Sequence, residues 1–322
     1  MDPLSAALSA DPQPLVILAV HLGLVAAAAL AGGRSLSFLS LGHRPMQVLL
    51  SLTGGVLLGV GMLHLIPHAF LELDRNADTT MGWVLAGFFA MFVLERAFHG
   101  HAHHVADAAP GDEAAPHAGC GHDSAGHAAH GHQHRAGPGG TMPAAAGGRL
   151  AWCGVFAGLA VHSLADGAAL AASVRADADH GAGWLAGFAT FLAVLLHKPF
   201  DAAIIAALLI KSGVSPGTRA LVNASYALVV PLGAVAFLAG LRLFGGREDV
   251  VVGVAMAVAA GAFVCIAAAD LLPEVQFHSH DRVLLTTSLA LGLAIAWGIG
   301  AVERSVHDHA RPAAVAPASS PQ

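Results

Sequence analysis

The chain has 322 residues, of which 11% are charged and 56% hydrophobic, with a mean hydropathy of +0.66 and a net charge of −6 when histidine is neutral. Soluble domains carry about 25% charged residues, so a water-soluble globular fold is excluded and the lipid bilayer is the expected solvent. The negative balance offers no basic surface for nucleic acid, and the three scattered cysteines (Cys120, Cys153, Cys265) argue against a disulfide scaffold or a thiolate zinc site.

The acidic N-terminus, MDPLSAALSADPQP, has no basic n-region, which predicts no cleavable signal peptide and a retained first helix. A membrane-spanning helix needs about 20 mostly apolar residues. Eight stretches meet this: 14–33, 46–71, 81–98, 150–173, 182–210, 218–243, 250–274 and 283–303, divided by turn-rich segments such as LDRNADTT, KSGVSPGT and GGRED. The predicted fold is therefore an all-α polytopic membrane protein. Residues 1–98 hold helices 1–3, 99–149 a disordered His-rich cytoplasmic loop, 150–303 helices 4–8, and 304–322 a short extracytoplasmic tail. The loop between 99 and 134 holds ten of the 21 histidines, in H-x-H and H-G-H spacings suited to labile metal capture.

An internal repeat joins the two ends of the chain. LHLIPHAF (63–70) resembles ADLLPEVQ (269–276), and VLERAFHGHA (93–102) resembles AVERSVHDHA (301–310), at offsets of 206 and 208 residues. Helices 1–3 thus match helices 6–8. Five helices, an odd number, separate each matched pair, so the copies cross the membrane in opposite directions around a helix 4–5 hairpin. Inverted repeats of this kind characterise secondary transporters, with the site near the midplane between the halves. Basic residues are split eight to six in favour of the side bearing residues 99–149. That places both termini outside and the His-rich loop in the cytoplasm.

Charged residues at mid-membrane depth cost about 2.5–3.5 kcal/mol each on insertion scales, yet the fifth span reads VLLHKPFDAAIIAAL. His197 and Asp201 are i, i+4 and share a helix face, and His162 and Asp166 repeat the spacing in the fourth span. Adjacent antiparallel helices can close these faces into two imidazoles and two carboxylates around one divalent ion. Zinc accepts such ligands, as do Fe, Mn, Co, Ni and Cd-like ions. His64 in the second span is a further candidate ligand, with His68 one turn along the route. Asp270 and Glu274, the matching pair in the seventh span, are candidate pathway residues. Pro199 withholds an N–H from the Leu195 carbonyl and is expected to bend the fifth helix. Lys198 is flanked by apolar residues too far from either interface for snorkelling, so it is expected to pair with Asp166 or Asp201. Glu95 and Glu303, each followed by arginine, are expected to form interfacial ion pairs.

At these residues the sequence resembles the ZIP (Zrt/Irt-like) family of divalent metal transporters. The family's fourth-helix motif, His-Asn-x-x-(Glu/Asp)-Gly, is matched by His162-Ser163-Leu164-Ala165-Asp166-Gly167. Its fifth-helix motif, His-Glu-x-Pro-(His/Glu), is matched by His197-Lys198-Pro199-Phe200-Asp201, with the proline one position early, and a subgroup with His-Lys here is most similar. The resemblance implies uptake of divalent metal, zinc first among the candidates, into the cytoplasm across the inner (plasma) membrane. The metal is cargo, no cofactor or enzyme activity is implied, and a homodimer is left open. Binuclear members build a second site from the positions occupied here by Ser163 and Lys198. Serine is a poor ligand and lysine opposes a second cation, so one transported metal is expected. A cation-diffusion-facilitator-like exporter also uses intramembrane His/Asp pairs, but such proteins have about six helices and a C-terminal domain. An intramembrane metal-dependent hydrolase would need a metal-bound water and a general base.

Overall fold

The structure, a computed structural model, describes residues 12–35, 43–99, 146–271 and 282–310. Among the described residues the fold is helical without strands, and eight helices are long and apolar enough to cross a membrane. They are α1 (Gln13–Ser35), α2 (His43–Val60, continuing through Gly61–Leu65 and Ile66–Glu72), α3 (Ala77–His99), α4 (Ala146–Asp179), α5 (Phe188–Lys211), α6 (Pro216–Ala227 and Val229–Leu241), α7 (Glu248–Ile266, continuing through Ala267–Leu271) and α8 (Arg282–Ala310). The expected His-rich loop and C-terminal tail fall largely outside the described residues. Helices prevail because a bilayer offers backbone N–H and C=O groups no partner except one another.

The helices form an inner and an outer set. In α7, 67% of the spanning window is buried against neighbours, and in α2 and α4 61%, whereas α3 and α8 bury only 17%. The outer helices turn apolar residues outward, among them Leu15 and Val20 on α1, Leu85 and Phe89 on α3, and Leu291 and Trp297 on α8. In water such faces would drive aggregation; in lipid they are solvated. The main packing partners are α3 with α7, α2 with α8, α4 with α6, and α1 with α5. Exchanging helices 1–3 with 6–8, and 4 with 5, leaves that pattern unchanged, as a twofold repeat requires.

Two local features carry the same symmetry. Both α2 and α7 widen into a π-helical turn, at Gly61–Leu65 and Ala267–Leu271. In α2 the Ile66 N–H reaches back to the Gly61 carbonyl, and Pro67 follows with no N–H to continue the ladder. Such turns recur at functional sites; His64 lies in one and Asp270 in the other. Glycines provide the second feature. A Cβ on Gly55 would strike the Leu289 carbonyl of α8, and one on Gly261 would strike the Val84 carbonyl of α3. Without a hydrophobic drive between helices in lipid, close backbone approach of this kind supplies the packing.

Three details depart from the expected boundaries. Helix α4 continues to Asp179 instead of ending near 173, because Ser173 and Asp177 on it are buried among neighbouring helices. Helix α6 breaks at Leu228, since Pro231 has no N–H for the Ala227 carbonyl. Helix α5 stays continuous through Pro199, whose backbone is met closely by Gly32 of α1.

Replacing Gly261 by Leu should force α3 from α7 and cost at least about 1–3 kcal/mol, lowering the thermal melting point of the detergent-solubilised protein. Gly240→Ala, where a Cβ meets open space, should leave it unchanged or slightly higher. Equal melting of the two variants would contradict the packing described.

Candidate metal centre

His162 and Asp166 lie one turn apart on α4, and His197 and Asp201 one turn apart on α5. The helices bring these two pairs face to face. One ligand atom from each of the four residues lies within 4.8 Å of every other. His162 Nε2 is 3.4 Å from His197 Nε2, 3.4 Å from Asp166 Oδ2 and 3.9 Å from Asp201 Oδ2. His197 Nε2 is 3.3 Å from Asp166 Oδ2 and 4.0 Å from Asp201 Oδ2. A tetrahedron with bonds of about 2.0–2.2 Å to a central ion has edges of about 3.3–3.6 Å. The observed separations therefore lie at or slightly above tetrahedral ligand spacing.

The ring orientation at His197 is fixed by its own helix. Its Nδ1 is 2.8 Å from the Ala193 carbonyl. A carbonyl only accepts, so Nδ1 donates and the neutral ring presents Nε2 as a lone pair toward the cluster. His162 Nδ1 is buried without a hydrogen-bond partner; His162 also lines a small crevice between α3 and α4 together with Glu95, Met91 and Leu159.

Lys198 is fully buried, with Nζ donating at 2.6 Å to Asp166 Oδ2 and at 3.0 Å to Asp201 Oδ2. The expected partner is thus both aspartates, not one. These are the same oxygens that face the imidazoles. Tyr226 of α6, absent from the sequence-based candidates, donates its hydroxyl at 3.1 Å to Asp201 Oδ2. Ser163 Oγ lies 2.9 Å from Tyr226 Oη and 2.6 Å from the Leu159 carbonyl, its one proton serving either. Among the described residues, the hydrogen bond to Tyr226 links Ser163 to the centre. Gly167 lets α4 approach Val230 and Ala234 of α6 closely, which brings Tyr226 into range. Tyr226 is the chain's one tyrosine and is 1% exposed, a compositional signal that could have singled it out.

His64 is not brought to this centre. Its Nδ1 is 2.9 Å from Glu303 Oε2 of α8, and its Nε2 is 3.6 Å from Asp177 Oδ2 and 3.3 Å from Ser173 Oγ of α4. His68 Nδ1 lies 2.7 Å from Asp177 Oδ1. The expectation that Glu303 is interfacial is corrected: its side chain is buried, because α8 turns it inward onto α2. Asp177 was also absent from the candidates. Its spacing from Asp166 is eleven residues, three helical turns, which keeps both on one stripe of α4. The Asp270 side chain and Glu274 lie outside the described residues.

No curated protein matches the chain at a significant level. A family profile described as ZIP Zinc transporter matches residues 15–302, nearly the whole length and all eight helices. The chain belongs to the ZIP zinc transporter family, and is a multi-pass membrane transporter of divalent metal, not an enzyme.

Proposed function

We propose that the protein moves one divalent metal at a time, zinc first among its substrates, into the cytoplasm through His162, Asp166, His197 and Asp201. The observation that carries this reading is the near-tetrahedral spacing of the four ligand atoms on α4 and α5. Two nitrogens and two oxygens suit zinc and its borderline neighbours. The membrane is the inner (plasma) membrane, both termini are extracytoplasmic, and residues 99–149 form a cytoplasmic segment that buffers metal. The slight excess of basic residues on that side supports this orientation.

Lys198 gives the site its stoichiometry and its rate of release. Its ammonium occupies the region next to both Oδ2 atoms, where a second cation bridging the carboxylates would otherwise lie. It also competes with the transported ion for the same oxygens, so the ion is held less tightly than two free aspartates would hold it. A carrier needs that weakness, since it must release its cargo.

Asp166→Ala and Asp201→Ala should each abolish zinc flux into proteoliposomes while the protein remains inserted and monodisperse; wild-type flux in both would refute the assignment. Lys198→Glu should raise bound zinc by one ion per chain relative to wild type and slow its release, measured by equilibrium dialysis and chase kinetics. Unchanged stoichiometry and flux would show that Lys198 plays no such part. Deleting residues 101–134 should leave flux largely intact and alter its response to metal concentration, and complete loss of flux in an inserted deletion would place the segment on the path.

A further inference from the structure

A second cluster of ligating groups lies three turns along α4 from the first. His64, His68 and Glu303 each offer one ligand atom, all within 4.8 Å of one another. Asp177 stands beside the two histidines, 2.7 Å from His68 Nδ1 and 3.6 Å from His64 Nε2. The eleven-residue step from Asp166 to Asp177 spans about 16 Å of helix, so no single ion touches both clusters.

We propose that His64, His68 and Glu303, with Asp177 orienting the imidazoles, form a second divalent-cation site, a station on the route to the central one. The role as a station rests on the transport reading given under Proposed function; the binding itself does not.

Four features point to a ligand and not merely to a structural ion pair. First, Asp177 is locked in place: its Oδ2 accepts the Gly187 N–H at 2.7 Å, at the left-handed glycine (φ 73°) that starts α5. Its Oδ1 lies 2.7 Å from His68 Nδ1, yet neither atom makes a hydrogen bond, so buried polar atoms gather here without satisfied partners. Second, Glu303 Oε1 is buried with no hydrogen-bond partner, a spare ligand oxygen in a place where leaving one is costly. Third, three protein ligands leave a fourth position open for water or for a ligand the ion brings with it. Fourth, exposure falls along one line of imidazoles. The His180 side chain is 40% exposed, His68 18% and His64 2%; the His180 and His68 rings are 6.2 Å apart and the His68 and His64 rings 4.3 Å. Glu72 lies 3.7 Å from His180 at the open end. The line leads from the surface inward to the cluster, at the end of the bundle opposite the start of α4. Nitrogen and carboxylate ligands select the same borderline divalent cations as the central site.

The test is an anomalous-scattering map of the full-length protein crystallised with Zn2+. Two peaks are expected, one among His162, Asp166, His197 and Asp201, the other among His64, His68 and Glu303. The outer peak should survive in His162→Ala/His197→Ala and vanish in His68→Ala, which in proteoliposomes should raise the half-saturating zinc concentration by about tenfold with little change in maximal rate. The near-isosteric Glu303→Gln should act in the same direction, should His68→Ala fail to fold. A central peak alone overturns this inference and leaves the transport reading standing. An outer peak alone supports the inference and overturns the transport reading. An outer peak with unchanged half-saturation in both variants overturns the role as a station.

Discussion

One ammonium between two carboxylates holds the centre of this molecule together. Lys198 and Asp201 come from α5 and Asp166 from α4, so the contact pins the two inner helices of the hairpin face to face. An unpaired charge in this setting is strongly unfavourable, and removing one partner of such a pair costs about 3–5 kcal/mol because the other is left uncompensated. Tyr226 extends the contact to α6 by donating to the same Asp201 oxygen. Four polar side chains on three helices are thereby brought to one point, beside the two imidazoles.

The same contact sets the chemistry. Two aspartates alone would make a trap for divalent ions. With Lys198 present the empty cluster carries one net negative charge instead of two, counting the histidines as neutral. On the proposed reading, an ion that enters would displace part of an existing interaction, and the interaction would reform when it leaves.

Much of this was legible in the sequence, and the reasons differ by residue. The eight spans were legible because lipid demands long apolar runs. His162, Asp166, His197 and Asp201 were legible because i, i+4 pairs in consecutive helices are rare where charge is costly. Lys198 had a partner predicted by the same argument. Depth along a helix can be read this way, but the identity of the neighbour cannot. His64 was therefore expected at the central site, whereas α8 brings Glu303 to it. Asp177 escaped notice because RADADHGAG reads as a turn-rich connection, whereas the helix runs on to Asp179 and turns Asp177 toward α2 and the start of α5. Tyr226 comes from a polar stretch of α6, with no spacing that ties it to α4 or α5. The inverted repeat was legible from two short matches at nearly one offset. Its physical counterparts, the paired π-helical turns and paired glycine contacts, needed coordinates.

The bond from Gly187 N–H to Asp177 has a mechanical consequence. It ties the start of α5 to the end of α4, as the lysine bridge ties their middles, so the hairpin is fastened at two heights and behaves as a single strut. The central ligands all belong to that strut. The outer cluster does not: Asp177 rides on the strut, while His64 and His68 ride on α2 and Glu303 on α8, which pack against each other. A slide of one body past the other by less than a helical turn would dismantle the outer cluster and leave the four central ligands in register. The fasteners of the hairpin thus lie on one side of the line between the two groups of histidines, and only Asp177 crosses it from the strut.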